Sequence, residues 1–274
     1  MLPYLNMEME SEEMEMEIDE QAQELFKPEN KGFFSLLIES FKFFMLNLPA
    51  IATIVIPVFL IAEILVPLFE LFLPNFAEDA TRWDFINDAL DSLITFLISQ
   101  LIYAIIAGIG WIAVIRVIAA AMHGEKLSPV QALKDGANML PMFAVTAILF
   151  YVSLLIGFAL LIVPGIVLFV WFNFWQFSYV LRGKGAVSGL MYSKSIVENN
   201  FVRVSLYIIG IWIFMYLMNG YGIDMIADFI ASNVGEEGDI SYIIVNAILV
   251  CLGRVFEGIR IVFLMALFMD LEKD

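Results

Sequence analysis

The chain has 274 residues, 61% of them hydrophobic and 16% charged, with a mean hydropathy of +0.88. So few polar residues cannot clothe a soluble domain, so hydrocarbon must solvate much of the chain. A net charge of −16 excludes nucleic-acid binding by phosphate neutralisation, which needs clustered Lys and Arg. The single cysteine, Cys251, excludes an internal disulfide.

Residues 1–30 form an acidic, Met-rich segment that includes Met7-Glu-Met9-Glu and Met14-Glu-Met16-Glu. With ten acids against Lys27 and Lys31, the first 31 residues carry half of the chain's net charge. Repulsion among like charges predicts a solvated, disordered tail. Paired Met-x-Met is the alternative, as soft thioether ligands for Cu(I), although no Cys or His accompanies it. A secretory signal starts basic and then turns apolar; this start is the opposite, so the first span is expected to serve as its own insertion signal.

Residues 31–274 read as a membrane domain. Phe33 to Leu46 predicts an interfacial helix, with Phe34, Leu37, Ile38, Phe41, Phe44 and Met45 at helical spacing and Glu39 and Lys42 on the wetter side. Span 1 follows, about Leu48 to Phe72, then an acidic spacer from Leu73 to Asp88 and span 2, about Leu93 to Ala121. Ser128-Pro-Val-Gln131 is a helix start, with Ser as N-cap, Pro at the first position and Gln closing the box. It opens a short helix to about Met139, with Val130, Leu133, Ala137 and Leu140 on one side.

Two apolar runs, Met142 to Val163 and Ile166 to Leu181, flank Pro164-Gly165 and predict a membrane hairpin of spans 3 and 4. Span 4, at about 16 residues, is near the lower limit for crossing roughly 30 Å of hydrocarbon, so a re-entrant hairpin is the alternative. A polar patch at Arg182-Gly-Lys-Gly185 leads into a surface helix ending near Asn200. Span 5 covers about Val204 to Leu217, another surface helix Ile223 to Ile230, and span 6 about Tyr242 to Phe268. With six spans and a cytoplasmic N-terminus, the inner segments hold ten Lys and Arg and the outer segments only Arg82. That asymmetry predicts both termini inside, in the cell (plasma or inner) membrane.

Leu36-Leu37-x-x-Ser40-x-x-Phe43, Ala132-Leu133-x-x-Gly136-x-x-Met139 and Gly189-Leu190-x-x-Ser193-x-x-Ile196 share a pattern, each ahead of a pair of spans. Three units of a surface helix plus two spans would explain it, though short amphipathic helices also give such matches. Leu160-Leu-Ile-Val-Pro164-Gly165-Ile166, Leu181-Arg-Gly-Lys-Gly185-Ala186 and Gly189-Leu-x-x-Ser193-Lys-Ser-Ile196 with Asn200-Phe201 resemble the membrane domain of the glycerophosphodiester phosphodiesterase type and related six-span bacterial membrane proteins. The resemblance implies a six-span helical domain with a membrane-embedded partner role. It does not bring the phosphodiesterase activity, because the soluble catalytic barrel is absent. The chain departs from the pattern at Arg182, where an acidic residue is usual, and at Gly189-Leu190, where Ala-Leu is common.

Charges at bilayer depth cost about 2.5–3.5 kcal/mol each on insertion scales, so they face partners or water. Arg254-x-x-Glu257-x-x-Arg260 places three on one side of span 6. Glu63 and Arg254 each lie about fifteen residues, some 22 Å, from the cytoplasmic ends of their spans, which predicts an ion pair. The functional reading of this cluster is a proton or ion relay, or a lipid-phosphate site at Arg260 and Arg116; the structural reading is a pair that fixes helix register. Gln100, Asn173, Gln176 and Asn246 are the other polar residues within spans, with Asn173 and Gln176 expected to hydrogen-bond between helices. No hydrolase, metalloprotease or phosphate-loop motif occurs, and His123 is the only histidine.

The expected protein is therefore an all-α, polytopic helical bundle of about six transmembrane helices with cytoplasmic interfacial amphipathic helices. No metal or cofactor is expected. The expected partners are the bilayer, with Lys134, Lys184, Lys194 and Arg203 near anionic headgroups, and a membrane protein or a second copy of the chain. The expected role is a non-enzymatic module that organises or senses lipid or a partner; the alternative is a transporter or channel using the charge cluster.

Overall fold

In the computed structural model the first helix, α1, runs unbroken over Phe33–Phe72. The structure describes residues 31–72, 82–219, 225–234 and 239–272. The acidic tail 1–30, most of the expected spacer (73–81) and the start of the surface helix expected at Ile223 lie outside the described residues. The interfacial helix and span 1 are thus one rod of 40 residues, about 60 Å at 1.5 Å per residue. Pro49 and Pro57 do not end it. Asn47 Nδ2 donates to the Phe43 carbonyl at 2.9 Å and Thr53 Oγ1 to the Pro49 carbonyl at 2.7 Å, each a side chain bonding back one turn along the same helix. The packed row is Leu36, Ser40, Phe43 and Phe44, whereas Phe34, Ile38, Phe41 and Met45 are exposed. Phe44, with the half-buried Leu37 one heptad before it, therefore faces the core while Phe34, Ile38, Phe41 and Met45 of the expected apolar stripe face outward.

Helix α2 (Arg82–Met122) begins within the expected spacer, well ahead of Leu93. Helix α3 (Pro129–Leu160) fuses the short helix after Ser128 with span 3. Ser128 Oγ accepts the Gln131 N–H at 3.2 Å as expected, but the Gln131 amide turns forward to Asp135 at 2.8 Å and does not close the box. The side of α3 that packs is Ala132 and Gly136, while Val130 and Ala137 are exposed.

The hairpin break also moves. Leu161, extended at φ −165° and ψ 156°, separates α3 from α4 (Ile162–Phe172), and Pro164 lies in the first turn of α4. A proline there removes no intrahelical bond, so Pro164 shapes a helix start and is not the turn itself. Gly165 permits the close crossing: a Cβ at this position would lie 2.3 Å from the Phe158 ring. Span 4 is broken again, since α4 ends at Phe172 and α5 covers Trp175–Arg182.

Helix α6 (Ala186–Val197) is followed by a 3-10 turn, Glu198–Asn200, and α7 (Phe201–Met218). A short α8 (Met225–Ser232) precedes α9 (Ile240–Leu271). The described residues contain helices and turns but no strand. Five segments are long and apolar enough to cross a membrane: Phe33–Phe69, Thr95–Met122, Pro129–Leu160, Ile162–Arg182 and Ala186–Met218. The sixth expected span lies in α9, which carries Arg254, Glu257 and Arg260 in its middle and is not among those five.

The core sits around the C-terminal half of α9, buried almost without interruption from Gly258 to Phe268. Its most extensive partner is α1, and α2, α3 and α4 then follow as successive neighbours. Phe33 meets Phe263 edge-on at 5.4 Å, and Phe268 meets Phe174 and Phe177 at 6.0 and 5.9 Å. The small residue of each patterned segment falls at a buried contact. Ser40 and Ser193 are fully buried, and a Cβ on buried Gly136 would lie 2.6 Å from the Ile109 carbonyl oxygen.

Candidate functional site

Three helices meet at the intramembrane carboxylate Glu63. Arg254 Nη2 of α9 lies 3.4 Å from Glu63 Oε1 of α1, and the Tyr103 hydroxyl of α2 donates to the same oxygen at 3.1 Å. The Arg254 guanidinium also stands 5.9 Å from the Tyr103 ring centroid. Equal depth on two spans thus does bring Glu63 and Arg254 together. Tyr103 was not foreseen, because nothing in the sequence fixes the rotation of α2 against α1. Arg254 Nε is buried without a partner, although the side chain as a whole is 38% exposed.

The three charges of α9 do not act as one row. Glu257 Oε2 pairs with Arg260 Nε at 2.7 Å, and Glu257 Oε1 accepts from Asn219 Nδ2 at 3.3 Å. Arg260 lies 5.7 Å from the Trp212 ring of α7. Each three-residue step falls about 60° short of a full turn, so the row rotates by about 120° between Arg254 and Arg260. Arg254 accordingly faces α1 and α2, whereas Arg260 faces α7.

Arg116 is held elsewhere. Its Nη2 bonds Asp135 Oδ2 at 2.7 Å, while Gln131 bonds the other carboxylate oxygen at 2.8 Å, joining α2 to the first turns of α3. Gln100 is exposed, and Gln176 and Asn246 are half-buried. Asn173 Oδ1 is buried without a partner, and neither it nor Gln176 makes the expected interhelical hydrogen bond among the described residues. Asn173 sits in the turn between α4 and α5, so the two side chains do not share one helix face. The break is bridged instead by Ser193 of α6, whose Oγ donates to the Trp171 carbonyl at 2.7 Å and accepts the Phe174 N–H at 3.0 Å.

Arg182, Lys184, Lys194 and Arg203 gather where α5, α6 and the start of α7 meet the end of α9. Arg182 grips Glu272 through Nε at 2.9 Å and Nη2 at 2.5 Å, and the Tyr192 hydroxyl donates to the same carboxylate at 2.5 Å. Lys184 Nζ stands 3.4 Å above the Tyr192 ring, and Lys194 Nζ 4.5 Å above Trp171. Arg203 pairs with Asp270 at 2.6 Å, and the Tyr207 hydroxyl donates to the Lys31 carbonyl at 2.6 Å. Burial works to raise the pKa of Glu272, but the hydrogen bonds from Arg182 and Tyr192 outweigh it and hold the carboxyl below its ordinary 4.5.

The loop that presents Arg182 and Lys184 is tightly set. Gly183 closes α5 in the left-handed region at φ 65°, and Ala186 is also left-handed at φ 50°. Ala186 is held there by its N–H, which donates to the buried Thr146 Oγ1 at 2.7 Å.

A cavity of about 270 Å³ opens at this end, lined in part by Arg116, His123, Glu125, Lys126 and Arg182. A second, of about 340 Å³, is lined by Arg182, Tyr192, Met269 and Glu272. Neither touches Glu63, Arg254, Glu257 or Arg260. No group of three or more metal-ligating side chains occurs among the described residues.

No curated protein and no solved structure matches the chain. Residues 84–271, from the start of α2 to the end of α9, match a family described as a domain of unknown function, DUF7847. The match leaves α1 outside, although α1 supplies Glu63 and the longest contact with α9. With well over half of its length covered, the chain belongs to the DUF7847 family.

Proposed function

We propose that this protein is a non-enzymatic integral membrane module that organises or senses lipid or a membrane partner through its basic end. Both termini then lie in the cytoplasm and the bilayer is the cell (plasma or inner) membrane. The observation that carries this reading is the closure of the intramembrane charges on one another. Glu63 is taken by Arg254 and Tyr103, and Glu257 by Arg260 and Asn219, while the cavity of about 270 Å³ opens among Arg116, Lys126 and Arg182. Anionic headgroups attract such a surface by about 1 kcal/mol per nearby Lys or Arg. The likeness of residues 160–203 to the membrane domain of glycerophosphodiester phosphodiesterases supports a partner role of the same kind.

The alternative, a small-solute or ion transporter, draws on Arg254, whose side chain is 38% exposed at bilayer depth. The two readings separate in liposomes. The module should be stabilised by anionic over zwitterionic lipid and give no ion or solute flux above empty vesicles. A flux abolished by Glu63→Gln would replace this reading with transport.

A further inference from the structure

We propose that the cavity of about 270 Å³ at the basic end is a site for the phosphate of an anionic glycerophospholipid headgroup. The inference rests on the reading above, that the module meets lipid at this end, and it names where and by what chemistry. The cavity is built from three parts of the chain. The last turns of α2 bring Arg116 and His123, the loop to α3 brings Glu125 and Lys126, and the end of α5 brings Arg182. Three cations therefore face Glu125 as the one acidic lining residue.

Both arginines are oriented in advance. Asp135 holds one edge of Arg116 at 2.7 Å, and Glu272 holds Arg182 at 2.9 and 2.5 Å. A guanidinium carries five N–H donors in a fixed plane, so an edge tied to a carboxylate leaves others for a second oxyanion. Arg116 is 37% and Arg182 44% exposed, so neither is sealed off by its carboxylate. Charge-assisted bonds from two planar donors are the geometry that phosphate oxygens accept best.

The rest of the lining is largely apolar. Ala119, Ala120, Leu127 and Val180 line it, with Met269 of α9 completing the wall. A free inorganic anion has no use for such a wall, whereas the glycerol and first acyl carbons of a lipid do. Drug-sized ligands occupy roughly 300–1,000 Å³, so this volume holds a headgroup and not a whole lipid. The position agrees: Arg116 and His123 flank the last turn of the apolar segment Thr95–Met122, at its end.

The test uses the full chain purified in neutral detergent, with lipid binding followed by native mass spectrometry. Phosphatidylglycerol should bind more tightly than phosphatidylcholine. Lys126→Gln, a loop substitution, should weaken phosphatidylglycerol about fivefold, the equivalent of about 1 kcal/mol. Ala120→Phe, which fills the cavity, should abolish that preference, and if it fails to fold Lys126→Gln alone decides. Displacement of phosphatidylglycerol by millimolar inorganic phosphate would assign the site to phosphate from any source and overturn the lipid assignment; resistance to it supports the lipid. Wild-type affinity in both variants, with the anionic preference intact, would overturn this site and leave the module reading standing. Equal binding of the two lipids by the wild-type protein would remove both.

Discussion

Ser193 joins two helices that a break would otherwise leave unanchored. Its hydroxyl serves the Trp171 carbonyl and the Phe174 N–H at once, in a site with no exposure. Ser193→Ala leaves a buried backbone N–H without an acceptor, so it is expected to destabilise the protein by about 1–3 kcal/mol, read as a lowered Tm in detergent. Ser193→Thr, which keeps the hydroxyl, should lose less. The carboxyl of Glu272 makes a different prediction. Its pKa is lower in the folded protein than its ordinary 4.5, so its stabilising effect is fully present above that pH and is lost as pH falls through the lower folded value. The difference in Tm between the wild-type protein and Glu272→Gln should therefore hold steady from pH 7 to about pH 5 and shrink below that. At this scale the sequence was legible where cost made a residue conspicuous. Glu63 and Arg254 stood out because charge in hydrocarbon demands a partner. Ser193 was visible only as the small residue of a repeated pattern and Thr146 not at all, since a serine or threonine within a helix ordinarily bonds its own preceding turn.

Whole helices show a second kind of legibility. Six apolar stretches were readable from composition, but the surface helices expected ahead of spans 1 and 3 are continuous with them in α1 and α3. Hydropathy reports where the solvent changes along a rod and is silent on whether the rod bends there. The pair between α1 and α9 tests whether such long helices are locked in register. Glu63→Gln and Arg254→Gln should each destabilise the protein, by about 3–5 kcal/mol for a fully buried pair and less here because Arg254 is 38% exposed. The double substitution should recover part of that loss, and strict additivity of the two singles in Tm would show that the charges are not coupled. The α3–α4 tip makes another prediction. Leu160, Leu161, Ile162 and Val163 are each about 70% exposed, and no polar side chain lies between Ser153 and Asn173. Four bare apolar side chains cannot rest in water at low cost. A cysteine at Leu161, with Cys251 replaced by serine, should resist membrane-impermeant maleimide from either face and give a fluorophore quenched by brominated acyl chains. Rapid labelling from outside would show a tip that emerges.

For the molecule as a whole, class was the most legible property and rotation the least. Composition alone required a membrane bundle, because so few polar residues cannot cover a soluble surface. The structure places Arg182, Lys184, Lys194 and Arg203 in contacts around a single end, with Glu272, Asp270 and two aromatic rings as their neighbours. Which faces of α1, α2 and α9 meet was not readable, because both lipid and protein interior select the same aliphatic side chains. The packed rows differ from the exposed ones chiefly in small residues such as Ser40, Gly136 and Ser193.

Pairing the first long helix with the last sets a timetable for biogenesis. At about 5–20 residues per second, the ribosome needs roughly ten to forty seconds to travel from Glu63 to Arg254. Throughout that interval Glu63 lacks the cation that it pairs with in the finished fold. The Glu63–Arg254 pair can close only once α9 has been made, so the bundle is completed late.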